Sequence, residues 1–195
     1  MKELFLAELE REAPRSRRTL EQMPEGRADW KPHDRSMAFG YLGELVATMP
    51  RWIVYTIERD ELDIAPKAGA GIQRDPLHSQ ADYLAAHDRA VADARAALQK
   101  TTDVFLLTQW KLLVGGNVVS DTPRYIVIRE TFNHLAHHRG QFTVYLRLLG
   151  QRCRRSTGLQ PTTRASADAV GRRATPTIAV VSSNHHPKGG VVCAC

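Results

Sequence analysis

Three histidines, His134, His137 and His138, fall within five positions of the stretch NHLAHHRGQFTVYLRLLG (residues 133–150), which then runs on into apolar residues. On a helix, His134 and His138 stand four residues apart and so one above the other on one face. That spacing lets two imidazole nitrogens meet one divalent ion, while His137 points elsewhere. Glu130, one turn earlier, shares the face. A stripe of Ile128, Phe132, Leu135, Phe142, Leu146 and Leu149 runs alongside and puts the histidines at the border of a core. Alone, the pair is a weak metal signal. Paired imidazoles also hydrogen-bond one another or face solvent, and a usual zinc site takes roughly three protein ligands and an open position.

The helix that carries them is predicted to open with Asp121 as cap and Pro123 in its first turn, and to stop at Gly150. Three further helical segments precede it. Residues 2–23 carry Leu4, Phe5, Leu9 and Leu20 among charges, with Pro14 expected to kink or interrupt them and Pro24 and Gly26 to end them. In WKPHDRSMAFGYLGELVATMPRWIVYTIERDELDI, Asp34 or Ser36 is expected to cap a helix with Leu42, Leu45, Met49, Trp52, Ile53 and Ile57 on one side, bent at Pro50. The alanine-rich SQADYLAAHDRAVADARAALQK is expected to be capped by Ser79 and to run to about Lys100. Residues 64–77, with two prolines and two glycines, read as a long connection. TTDVFLLTQWKLLVGGNVVSDTPRY has no clean helical period and contains Gly115-Gly116. It reads as a mixed connector with a short helix or extended piece that lays Trp110 on the helices. Four helices with two long joins predict an all-α fold, a four-helix bundle with at least one crossover connection.

The net charge of +6 is not spread along the chain. Residues 1–150 hold 20 Lys and Arg against 20 Asp and Glu, whereas 151–195 hold 7 against Asp168 alone, and all 13 aromatic residues precede position 151. The helical part therefore offers no phosphate-binding footprint, which argues against a nucleic-acid partner. The basic, aromatic-free tail cannot bury enough apolar area to offset chain entropy, so residues 151–195 are expected to be disordered beyond a domain of 1–150. No stretch approaches the roughly 18 apolar residues of a membrane span, and MKELFLAELEREAPR is too acidic for a secretory signal. A cytoplasmic protein without a membrane partner is expected. Cys153, Cys193 and Cys195 all lie in the tail, so no disulfide framework organises the domain.

FNHLAHHRGQFTVYLRLLG resembles the closing helix of DinB-like (YfiT-like) proteins, and WKPHDRSMAFGYLGELVATMPRW resembles the loop and second helix of the same family. The resemblance covers essentially residues 1–150. It implies a four-helix bundle, often a homodimer, with a divalent metal such as zinc, nickel or manganese held by one histidine of the second helix and two of the fourth. By position the latter two are His134 and His138. The second-helix ligand falls on Leu45, which cannot coordinate a metal and shares the apolar line of Leu42 and Met49. Neighbouring Glu44 is an oxygen donor but sits about 100° around the helix. The resemblance therefore implies an incomplete triad, with Glu130, Glu44 or water as weak additional donors.

Other residues have plainer readings. His33 lies in a polar loop, where it caps or contacts Asp34. His87 reads as packed or exposed in the alanine-rich helix. Arg139 and Gln141 could orient a ligand shell, but tying the last helix to its neighbours is the plainer role. Trp30, Trp52 and Trp110 could line a pocket but fit a core.

Where the family's closing helix is followed by a strap resembling V-P-x-x-Y-G-P-S/T-A-D, this chain has RCRRSTGLQPTT. Reading the third base of each codon with the first two of the next permits Val-Pro-Ser-Ile-Tyr-Gly-Pro-Thr-Ala-Asp-Asp. A one-base deletion near the Gly150 and Gln151 codons would give the present tail. On that reading, His185 and His186 are accidental, and resequencing the locus tests it.

Two functions of different class remain open from the sequence. One is a metal-binding protein related to metal-dependent thiol transferases and hydrolases, acting on a small molecule or thiol. The other is a non-catalytic helical module that has lost the metal and binds a ligand or dimerises.

Overall fold

The computed structural model describes residues 1–67, 71–72 and 76–151. Among them are α1 (Lys2–Leu20), α2 (Phe39–Thr48), α3 (Arg51–Glu58), β1 (Glu61–Asp63), α4 (Gln80–Lys100), α5 (Asp103–Leu106), β2 (Gln109–Val114), β3 (Asn117–Pro123) and α6 (Arg124–Leu148). The tail expected to be disordered lies outside the described residues, apart from Gln151, as does part of the 64–77 connection.

Local chemistry explains several boundaries. Ser79 caps α4 as expected: its hydroxyl accepts the Asp82 N–H at 3.2 Å, and the Asp82 carboxylate accepts the Ser79 N–H at 2.8 Å. Such a reciprocal pair satisfies two otherwise orphaned helix-terminal donors. Gly150 (φ +77°) closes α6, with its N–H on the Arg147 carbonyl at 3.0 Å and the Gln151 N–H on the Leu146 carbonyl at 2.9 Å. That is the Schellman arrangement, for which a left-handed residue, usually glycine, is suited.

Four expected boundaries are drawn differently by the structure. Pro14 lies within α1 without ending it; α1 buries Leu9, Ala13, Ser16 and Leu20 on both sides of the proline, and this burial offsets the lost helical hydrogen bond. Neither Asp34 nor Ser36 caps α2. Its first donors are met by backbone instead, Phe39 N–H on the Trp30 carbonyl at 2.9 Å and Gly40 N–H on the Ala28 carbonyl at 2.8 Å. That close approach requires glycine at position 40, where a Cβ would stand 2.9 Å from both Ala28 Cβ and Tyr83 Oη. Asp121 does not cap α6, because it sits in β3 opposite Lys111, and the helix starts at Arg124. Pro50 does more than bend the second segment, since it separates α2 from α3.

The larger correction concerns fold class. The chain is not all-α: β1, β2 and β3 form a mixed sheet in that order, with β1 parallel and β3 antiparallel to β2. Gly115 and Gly116, at φ +60° and +82°, make the two-residue turn between β2 and β3 that needs two left-handed residues. The Asp63 carboxylate ties that turn to β1 by accepting the N–H groups of Ala65, Gly115 and Gly116. A register shift between Leu112 and Leu113 breaks the two-residue alternation, which is why the segment does not read as strand from its pattern.

The helices pack around two apolar clusters. One joins Leu20, Phe39, Leu42, Val46, Tyr83, Leu135, Phe142 and Leu146, with the Phe39 and Phe142 rings stacked at 4.7 Å. The other joins Leu9, Ile53, Val91, Leu98, Leu106, Ile128 and Phe132. Trp110 is 1% exposed, as its expected core role requires. Among the described residues, no helix is long and apolar enough to cross a membrane.

Candidate functional site

Helix α6 brings the two histidines together. Leu135 and Phe142, which anchor α6 in the first cluster, lie close to His138 around the helix and carry its ring inward, so that it is 2% exposed. His134, one turn back, remains exposed. The ring centroids are 4.4 Å apart and the two Nε2 atoms 2.7 Å apart, so one nitrogen donates a proton to the other. Gln141, one turn further on, places its Oε1 2.9 Å from His138 Nδ1. His137 meets His138 edge-on at 5.2 Å.

Partial burial of the rings is the first cause that lowers both histidine pKa values below the ordinary range. For His134 the neighbouring His138 and His137 add to this. For His138 the Gln141 hydrogen bond opposes it and His137 adds to it. Both rings are therefore neutral near pH 7, the state in which imidazole is a ligand.

The remaining expected donors do not join the pair. Leu45 is half-buried and packs against the cluster containing Leu135 and Phe142. Glu44 is also half-buried, and its charge acts on Tyr83, whose phenol is pushed up by burial first and by Glu44 next. Glu130 is exposed. Among the described residues, no three His, Cys, Asp or Glu side chains are grouped so as to hold a metal ion. The donor set thus fits a divalent ion at two positions and does not fit the complete three-histidine centre.

Arg139 does what the plainer reading expects. It links α6 to α1 through the Glu12 carboxylate and, at 3.0 Å, the Ser16 hydroxyl. Gln141 departs from that reading by bonding His138, and its three-residue spacing from His138 was the available signal. His33 uses Nδ1 to accept the Arg35 N–H at 3.1 Å. His87 is 1% exposed, with Nε2 3.0 Å from the Ala13 carbonyl. Its Nδ1 has no hydrogen bond of ordinary geometry, although the Ala47 carbonyl is close enough to favour a proton on the ring. Trp30 packs edge-on against Tyr145 and Trp52 against Tyr55, and both lie partly buried against the first cluster. Arg124 went unnoticed in the sequence. It is 2% exposed, with every guanidinium nitrogen hydrogen-bonded, at the start of α6.

The arrangement has relatives of the same shape. A DinB-like protein from Bacillus cereus, 19% identical, superposes with a TM-score of 0.59 over 80% of this chain and 95% of its own. Another from Bacillus subtilis, 15% identical, gives 0.58 over 75% and 92%. At these identities the likeness carries the fold alone. No curated protein matches the chain. The sequence model of the DinB family matches residues 2–162, past the Gly150 boundary drawn from composition. With the match spanning most of its length, the chain belongs to the DinB family.

Proposed function

We propose that this DinB-family protein holds a divalent metal, zinc, nickel or manganese, weakly at an incomplete site made by His134 and His138, with water or a small thiol completing the coordination. The observation that carries this reading is the convergence of the two Nε2 atoms at 2.7 Å, with no third His, Cys, Asp or Glu grouped with them among the described residues. The reading places the protein in the cytoplasm as a homodimer, related to metal-dependent thiol transferases and hydrolases.

The residues of the chain itself would act as follows. His134 and His138, kept neutral by partial burial, offer their nitrogens at one point. Gln141 holds the inner ring in orientation. A bound divalent ion supplies Lewis acidity, which lowers the pKa of a water or thiol and yields a nucleophile at neutral pH. Two protein ligands hold such an ion less tightly than three.

The metal content of protein equilibrated with zinc tests this. The expected result is about one zinc per chain, removed readily by chelator, absent in His134→Ala and His138→Ala, and held at least tenfold more tightly in Leu45→His. A second reading, a non-catalytic module that binds a ligand or dimerises without metal, is favoured by the packing of half-buried Leu45 against the first apolar cluster. Wild-type protein that takes up no zinc at saturating concentration would decide for it.

A further inference from the structure

The Gln141 side chain hydrogen-bonds the inner histidine of the pair. His138 is 2% exposed, so its Nδ1 cannot rely on bulk water and needs a partner from the protein. Gln141 lies one turn away on α6 and supplies it.

We propose that Gln141 is a positioning residue: by accepting the proton on His138 Nδ1 it fixes the tautomer of both histidines, and so decides which nitrogen offers a lone pair where the rings meet. The inference rests on reading the pair as a ligand site for a divalent transition metal.

The logic follows from what each group can donate. A neutral imidazole carries one proton and one lone pair on its two nitrogens. With Gln141 Oε1 at 2.9 Å, His138 must carry its proton on Nδ1, which leaves a lone pair on Nε2. At 2.7 Å from His134 Nε2, that lone pair requires the proton of His134 on its own Nε2. A directed chain results, from His134 to His138 to Gln141. Were the amide turned about, its NH2 would donate to Nδ1 and both tautomers would reverse. A carboxylate at 141 can only accept and keeps the first direction. A hydrocarbon there favours neither.

The two rings therefore have different roles. The buried His138 already presents its lone pair and needs no proton rearrangement to coordinate. The exposed His134 must transfer its proton from Nε2 to Nδ1, a change that solvent can assist. The inner ligand is set in advance and the outer one adapts.

Imidazole nitrogen NMR of the metal-free protein at about pH 8, above the ordinary histidine range, reads the tautomers directly. The expected result is His138 protonated on Nδ1 and His134 on Nε2 in the wild type and in Gln141→Glu, and averaged tautomers at His138 in Gln141→Leu. Zinc alone, titrated into each, should bind about 10–100-fold more weakly to Gln141→Leu than to the wild type and without such loss to Gln141→Glu. Finding His138 protonated on Nε2 in the wild type overturns the inference. So does an unchanged His138 tautomer, or unchanged zinc affinity, in a folded Gln141→Leu. If Gln141→Leu does not fold, the wild-type and Gln141→Glu spectra decide. If the tautomers are as stated but the wild type takes up no zinc, the metal reading fails and the positioning role of Gln141 stands.

Discussion

Arg124 and His138 lie on the same helix, each 2% exposed, and the fold meets their polar atoms in different ways. Around Arg124, Nε donates to the Thr108 hydroxyl at 2.9 Å, Nη1 to the carbonyls of Thr56 and Arg59, and Nη2 to the Asp60 carboxylate at 2.7 Å. The guanidinium also lies 4.4 Å over the Phe105 ring. One side chain thus joins the C-terminal end of α3, the α5 turn and the start of α6, with its planar fork of donors occupied. His138 has Gln141 on one side and, on the other, a second histidine that is open to solvent. A buried polar group whose valences are filled by backbone carbonyls holds elements in place. One whose outer nitrogen meets a solvent-exposed ring leaves that nitrogen open to a change of partner.

The strongest way to break this comparison is Arg124→Met. Leaving the Thr56 and Arg59 carbonyls without their donor should cost about 3 kcal/mol in urea unfolding at neutral pH; a loss below about 1 kcal/mol would mean that Arg124 is no more architectural than the histidines. Arg139→Met should cost less, about 2 kcal/mol, because the buried Glu12 keeps Arg15 as partner when Arg139 is gone.

A pH series probes the histidines instead. His87, His134 and His138 all have lowered pKa values, with burial the first cause in each. Below about pH 6.5 the unfolded chain takes up protons that the folded chain resists. Stability is therefore complete above that pH and falls progressively as pH drops towards the folded-state values. His87→Gln should flatten the fall in a plot of Tm against pH, and a wild-type profile that is level from about pH 8 to 5 would contradict the argument. The smallest effect belongs to His134→Ala. Its exposed ring holds no element together, so the change in stability should stay within about 0.5 kcal/mol while zinc uptake disappears. A much larger loss would place His134 with Arg124.

The sequence revealed features whose causes lie within a few residues. Ser79 before its helix, Gly150 after Leu148, and the four-residue interval from His134 to His138 each express a local geometry. The start of α2 was hidden because its donors are met by the Ala28 and Trp30 carbonyls, and a carbonyl leaves no mark in residue type. The β2–β3 hairpin was hidden by the shift at Leu112 and Leu113, although Gly115-Gly116 marked its turn. Arg124 resembles a surface arginine until the end of α3 and the α5 turn are assembled around it. Position 45 was legible as leucine, and its half-buried place beside the first cluster agrees with hydrocarbon packing.

The way α6 ends has an evolutionary side. The carbonyls of Arg147 and Leu146 are taken up by the amides of Gly150 and Gln151, so the described end of the helix is closed by main-chain groups, which any codon but proline's supplies. A slip in translation phase just downstream could rewrite every later amino acid and still leave this terminus intact, which makes the junction a tolerant place for such an accident and a suitable point for joining a foreign sequence.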